Sequence, residues 1–281
     1  MNEILKKIRA LLKPTYLALN NLRLDFLDIF DYLLGRKDPL IPPRKMIFIG
    51  DGDYRKIGWE FFNYFKELGN LKQNHNVLDI GCGIGRMALP LVTYLNQDGA
   101  YYGFDIVKEG IDWCKNNITK RHPNFTFKHS DIYNKCYNPK GSENSLSYTF
   151  KYQDSFFDFA FLTSVFTHMM KEDVEHYLQQ IHRVLKNDGN CLTTFFLINE
   201  ESHKLINENK STQNLKYPFD DVSFVLNKEI PEYAIGFEEK WLINLLEKYQ
   251  FEIKGIYYGS WCGRKDFKSY QDILLIKKRT N

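Results

Sequence analysis

From about residue 75 the chain alternates short apolar runs with segments whose apolar positions recur every three or four residues. Val77, Leu78 and Ile80 surround Asp79 in a run short enough for a buried strand. Arg86 to Leu95 follows with Met87, Leu91 and Leu95 at helical spacing, and Pro90 suits such a helix only in its first turn. The same alternation predicts strands over 100–104, 125–128, 157–162 and 191–198, helices over 107–120 and 172–185, and a turn at Asn187-Asp188-Gly189. Strands alternating with helices imply a parallel sheet built from right-handed crossovers. The rhythm then changes. A helix over 238–249 is followed by strands over 251–258 and 270–276 with no helix between them, which pair most simply as an antiparallel hairpin. The expected class is α/β: a Rossmann-like, mostly parallel sheet ending in an antiparallel hairpin.

Three stretches lie outside this pattern. Ile4, Leu5, Ile8, Leu11 and Leu12 recur at helical spacing, as do Leu22, Phe26, Ile29, Phe30 and Leu33, with a break near Pro14. Arg9, Lys13 and Arg23 interrupt any signal-like apolar core. We expect an N-terminal helical cap over 1–45, packed on a domain running from 46 to 281. A homodimer or membrane-surface contact is the alternative use of the two stripes. Residues 133–155 and 199–237 are polar, turn-rich and aromatic, and read as insertions. Loops of that length are usually functional or disordered.

Composition narrows the function. A net charge of +3 with scattered basic residues does not suggest a nucleic-acid protein. The five cysteines are widely spaced without a C-x-x-C pair, so neither a disulfide framework nor a zinc site is indicated, which fits the cytoplasm. No apolar run approaches a membrane span. The aromatic share of 16 % is high enough to fill a core and to line a pocket.

The chemistry gathers at strand ends. In VLDIGCGIGR, Gly81, Gly83 and Gly85 alternate behind the first strand and Asp79 precedes them. A dinucleotide fingerprint needs glycine where Arg86 stands, so the pattern is G-x-G-x-G instead. Asp105 ends the next strand, where an acid can accept hydrogen bonds from ribose hydroxyls; by itself it would read as a cap for the helix from Val107. Asp131, followed by Ile132, ends the third strand, where a carboxylate can accept from an adenine amino group while the isoleucine packs on the ring. Thr163, Ser164 and His168 follow the fourth. In an open α/β sheet ligands collect beyond the carboxyl ends of the strands, so four strand ends converge on one crevice. A turn over Gly50-Asp51-Gly52-Asp53 would leave Tyr54 facing it, or would be an ordinary helix start.

This constellation resembles the class I S-adenosylmethionine-dependent methyltransferases. LDIGCGIGR is similar to their glycine motif, YYGFDI to their ribose motif and HSDI to their adenine segment. FDFAFLTSVFTHM and IHRVLKNDGNCLTTFF resemble the elements that follow, and the likeness covers about residues 50–198. It implies S-adenosylmethionine as cofactor, with Gly81, Gly83 and Gly85 cradling the methionyl part, Asp105 at the ribose and Asp131 at the adenine. Tyr54, Asp79, Ile106, Ile132, Thr163 and Ser164 complete the expected cofactor contacts. An oxygen acceptor calls for a general base, and His168 is the best-placed histidine, though it is equally open to a structural role. No metal-ligand set is recognisable beside these positions, so a metal-independent reaction is expected.

The expected acceptor is a hydroxyl of a small molecule or glycan, reached by elimination. An asparagine-proline-proline-tyrosine motif, which would mark amino-group methylation of planar nitrogens, is absent after the fourth strand. Other nitrogen or sulfur acceptors, a protein side chain, or a non-catalytic cofactor-binding module of the same fold are the alternatives. A nicotinamide oxidoreductase is disfavoured by Arg86 and by the terminal strand pair.

Overall fold

The computed structural model describes residues 19–50 and 52–279. Its strands are β1 (Asn76–Ile80), β2 (Ala100–Asp105), β3 (Phe125–His129), β4 (Phe157–Leu162) and β5 (Leu185–Phe195), then four short ones, β6 (Leu197–Ile198), β7 (Tyr217–Pro218), β8 (Ser223–Val225) and β9 (Ile235–Glu238), and finally β10 (Phe251–Tyr257) and β11 (Asp272–Lys278). Seven of these form the main sheet in the order β10-β11-β5-β4-β1-β2-β3. β1 to β5 are mutually parallel, whereas β11 runs antiparallel to both β5 and β10. This is the Rossmann-like sheet with a terminal hairpin that the alternation predicts.

The central strands are near-continuous apolar runs because helices cover both faces. In β4, Phe157, Phe159, Ala160, Phe161 and Leu162 are all fully buried. On one face lie α2 (Tyr54–Glu67), α3 (Ala88–Tyr94) and α4 (Lys108–Cys114), where Phe65 stacks on Phe161 at 4.2 Å between ring centres. On the other lie α5 (Lys171–Val184), whose Val174, Leu178 and Ile181 are buried, and α7 (Glu239–Lys248). Pro90 falls in the first turn of α3, where its missing N–H is not needed. Helix α4 is shorter than its 107–120 pattern: it gives way at Lys115 to one wide turn ending at Thr119. Strand order reverses between β1 and β4, and that reversal opens the crevice at their carboxyl ends.

Three other segments depart from the sequence pattern. Asn187-Asp188-Gly189 does not end a turn ahead of a new strand. It bulges within β5, where Phe157 pairs with Leu185 but Phe159 pairs with Asn190, and Asp188 takes a left-handed φ of 63°. The strand expected over 191–198 is broken at Phe196, beyond which Leu197 and Ile198 join a second sheet in the order β6-β9-β8-β7. Residues 199–237 are therefore built around this small sheet and a further helix, α6 (Glu200–Asn207), rather than forming an open loop.

The N-terminal helix is present over 19–33 as α1, but it does not bury its apolar stripe. Leu22, Phe26, Ile29, Phe30 and Leu33 are exposed. Its inner face is acidic instead: Asp28 and Asp31 pair with Arg44 at 2.6 and 2.5 Å, and Asp25 pairs with Lys45 at 2.8 Å. The hydrophobic period marks an amphipathic helix but does not say which face turns inward. The expected first helix, before Pro14, lies outside the described residues. Among the described residues no helix is long and apolar enough to cross a membrane.

Candidate functional site

The turn after β1 is made by backbone that only glycine adopts at low cost. Gly81, Gly83 and Gly85 have φ of 77°, 56° and 82°. At Gly81 space is lacking as well, since a Cβ there would lie 2.3 Å from Val165 Cγ2 in the loop after β4. The amides of Gly81 and Cys82 donate to the Phe104 carbonyl, tying the turn to the end of β2. Tyr54, at the start of α2, lies buried against the turn and donates its hydroxyl to the Ile84 carbonyl at 2.9 Å. Asp53 caps that helix, accepting from the Lys56 amide at 2.7 Å.

Asp105 is held by backbone amides on both of its oxygens. One carboxylate oxygen accepts from the Gly83 amide at 2.7 Å, inside the glycine turn, and the other from the Val107 amide at 2.7 Å, at the start of α4. Burial raises its pKa against these bonds. A carboxylate oxygen can accept more than one hydrogen, so Asp105 retains capacity toward a diol. Asp79 is completely buried two positions before Gly81, and accepts from Tyr101 Oη at 2.5 Å through one oxygen. Its other oxygen has no hydrogen-bond partner among the described residues, and burial pushes the group up to about 8.

The third strand end is tied to the segment that follows it. Both Asp131 oxygens are engaged by the 133–155 segment: Ser142 donates its hydroxyl at 2.7 Å and its amide at 3.2 Å, and Asn138 its side-chain amide at 3.2 Å. These bonds hold the carboxyl below its usual range. Asp131 therefore anchors the insertion, and Ile132 is buried in the core with Phe104 and Tyr148 rather than lying open to a ring. Ile106 is half-buried, with its carbonyl 3.2 Å from His129 Nε2.

Beyond β4, Thr163 is half-buried and Ser164 exposed with a left-handed φ of 59°. The Ser164 amide donates to Thr194 Oγ1 at 2.8 Å, and both hydroxyls donate to Gln271 Oε1, at 3.1 and 2.6 Å. This network ties the ends of β4 and β5 to the start of β11. Four residues later, His168 Nδ1 lies 2.7 Å from the Glu232 carbonyl. A carbonyl only accepts, so Nδ1 carries the hydrogen and Nε2 keeps its lone pair. Burial lowers the pKa of His168, which holds the ring neutral. Tyr137 stands edge-on to it, with centroids 5.5 Å apart. Lys135 Nζ donates to the Glu229 carbonyl at 2.9 Å, so the 133–155 and 199–237 segments meet over the histidine.

The structure thus brings Tyr54, Asp79, Gly81, Gly83, Gly85 and Asp105 together at one turn, with Val165 linking that turn to the loop of Ser164 and His168. Sequence reasoning did not find the roles of Glu232, Thr194 and Gln271. Glu232 acts through its backbone, which no side-chain pattern marks.

Comparison with known proteins agrees with this geometry. A family model described as a methyltransferase domain matches residues 71–243. Among solved structures, a protein from Methanosarcina mazei described as a SAM-dependent methyltransferase is similar at 23 % identity, over 76 % of this chain and 97 % of that one, with a TM-score of 0.52. Magnesium protoporphyrin IX methyltransferase from Synechocystis PCC 6803, solved with bound SAH, shares 14 % identity over 84 % of this chain and 92 % of its own, with a TM-score of 0.51. The 1,6-didemethyltoxoflavin-N1-methyltransferase from Burkholderia thailandensis, solved with its acceptor and S-adenosylhomocysteine, shares 16 % identity over 94 % and 89 %, with a TM-score of 0.50.

Proposed function

This chain belongs to the methyltransferase-domain family and is an S-adenosylmethionine-dependent methyltransferase, and from that premise we propose that it methylates a hydroxyl of a small molecule or glycan, with His168 as general base. The observation that carries the proposal is the bond from His168 Nδ1 to the Glu232 carbonyl, which fixes the tautomer so that, with burial keeping the ring neutral, the Nε2 lone pair is available.

The residues present fit the cofactor. Three left-handed glycines make a cradle whose backbone can approach a ligand closely, and Asp79 and Arg86 each keep a buried polar atom without a partner among the described residues. When bound, S-adenosylmethionine supplies an electrophilic methyl group on a sulfonium. The protein then has to align the acceptor and remove its proton. His168 Nε2 accepts the hydroxyl hydrogen as the oxygen becomes nucleophilic, and the Nδ1 bond keeps the ring in that tautomer and orientation. Tyr137, packed edge-on to His168, and the exposed Tyr233 next to Glu232 are the rings we assign to stacking on a sugar or planar acceptor.

Transfer of labelled methyl from S-adenosylmethionine to an extract of metabolites and glycans is the direct test. Label in base-stable ether linkages supports the proposal, and label confined to amines, thiols or protein would overturn it. The pH profile is a second check. His168 is lowered from the ordinary imidazole value, and the reaction needs its neutral form. The rate should therefore stay flat as pH falls to about 6.5 and decline only below that. A decline that begins above neutrality would contradict the assignment.

Asp105→Ala tests the cofactor side. Losing the acceptor of the Gly83 and Val107 amides loosens the turn as well as removing the ribose partner. Calorimetry should show affinity for S-adenosylmethionine falling about 100-fold, the scale of two hydrogen bonds to a charged group. Affinity within about threefold of wild type would remove Asp105 from the site.

A further inference from the structure

We propose that a basic cavity beside β3 binds the phosphate group of a small ligand other than the methyl acceptor. β3 is the outermost strand of the main sheet, and the chain that leaves it forms the irregular 133–155 segment instead of a crossover helix. Tyr148 and Tyr152 of that segment pack on Phe104 of β2, and the space left between them and β3 is a cavity of about 230 Å³. That is several times the roughly 30 Å³ share of one water, enough for a phosphate. Lys115, Lys128 and Lys151 line it, and no carboxylate among the described residues does. In a chain whose net charge is only +3, three ammonium groups at one cavity concentrate positive potential there.

These lysines are only partly satisfied within the protein. Lys128 Nζ lies 4.7 Å from the Tyr152 ring centre and Lys151 Nζ 5.8 Å from that of Tyr148, so the rings hold both ammonium groups at the walls. Lys151 reaches one acid, Glu143, at 3.5 Å, while Lys115 acts on Asp112, which is already bonded to Lys108. Lys128 has no ion pair among the described residues. The floor adds a neutral donor. Ser130 and Tyr148 are buried, and their hydroxyl oxygens lie 2.5 Å apart. One hydrogen closes that bond, so the second has no acceptor among the described residues. Ammonium groups around a buried hydroxyl suit an anion with three strong acceptor oxygens, which a phosphate supplies. S-adenosylmethionine carries no phosphate, so the cofactor does not fill the cavity. The acceptor is also distant. β3 lies three strands from β4, whose loop carries His168, a separation of about 14 Å at the usual strand spacing.

Calorimetry on the full chain tests this with inorganic phosphate, pyrophosphate and phenyl phosphate, each against potassium chloride at matched ionic strength. One-to-one saturable binding of at least one probe is expected, with a rise of about 2–4 °C in melting temperature at roughly ten times the dissociation constant. Tighter binding of phenyl phosphate than of inorganic phosphate identifies a phosphate ester as the ligand; the reverse order identifies the free ion. Lys128→Gln/Lys151→Gln should weaken binding about 10-fold or more. Glu143→Gln, which releases Lys151 from its acid, should tighten it about twofold. No saturable binding of any probe below about 10 mM would overturn the proposal, as would unchanged affinity in the double lysine variant or a response that chloride reproduces. Binding of a single-stranded oligonucleotide without binding of the small phosphates would overturn it too, and make the lysines part of a nucleic-acid surface. A cooperative melting curve reports that each variant is folded. Where the double variant fails that control, Glu143→Gln decides, and affinity no tighter than wild type overturns the proposal.

Discussion

Asp272→Ala should destabilise the protein by about 3–5 kcal/mol, the scale for removing one member of a buried ion pair. Asp272 is fully buried at the start of β11 and gathers four donors: the Leu197 and Gly259 amides and Trp261 Nε1, each at 2.7 Å, and Arg264 Nη1 at 3.1 Å. Arg264 is itself buried, reaches Glu201 in α6 at 2.9 Å and Asn199 at 3.2 Å, and lies over the Tyr258 ring. Removing the carboxylate would leave three N–H groups without their acceptor and the buried guanidinium with Glu201 as its one paired acid among the described residues. The node stands where β5 breaks at Phe196 and the chain passes into the second sheet, so it couples that sheet to the main one. Urea unfolding monitored by circular dichroism measures the loss. The double variant Arg264→Met/Asp272→Leu should recover only part of it, because the two amides and the indole remain unpaired. A loss below about 1 kcal/mol for Asp272→Ala would mean that water satisfies these groups and that the node contributes little.

That node also marks where the sequence stops being readable. The parallel strands are legible because a strand covered on both faces must be apolar throughout, and FDFAFL or VLDI leaves little else to choose. The β5 bulge is less legible. Asn-Asp-Gly announces a left-handed residue, which Asp188 is, but a turn and a bulge use the same backbone and differ only in whether pairing resumes with the same neighbour. The second sheet is hidden because β6 and β7 have two residues each, too few to show a period. Helix α1 shows a limit of another kind. Its stripe is correctly amphipathic, yet Asp25, Asp28 and Asp31 are drawn inward by Lys45 and Arg44.

The site divides in the same way. The glycine turn and Asp105 can be read from the chain because they depend on backbone angles and on spacing between consecutive strand ends. Asp131 also braces the 133–155 segment through Ser142 and Asn138, a role that its place at a strand end does not mark. Contacts made across long separations leave no local trace. Gln271 receives Ser164 from 107 positions away, and the Glu232 carbonyl holds His168 from 64 away.

Replacing His168 with alanine should lower kcat by about 10²- to 10⁴-fold, the range for losing a positioned general base. The split between constants tells a catalytic role from a structural one. Binding of S-adenosylmethionine should be nearly unchanged, because the side chain removed bonds to the Glu232 carbonyl and packs on Tyr137, and makes no contact with the glycine turn or Asp105. The acid limb of the pH profile should disappear with the imidazole, since the group titrating there is gone. His168→Asn is the companion variant. Its side-chain amide nitrogen, attached to Cγ as Nδ1 is, can donate to the Glu232 carbonyl in place of Nδ1, preserving the junction between the 133–155 and 199–237 segments without supplying a base. If His168 only braces that junction, the asparagine variant should recover activity while alanine should not. If it removes the proton, both should be slow, and raising pH should speed both as the acceptor hydroxyl ionises unaided. Recovery by asparagine would leave the histidine a brace and move the search for the base elsewhere in the crevice.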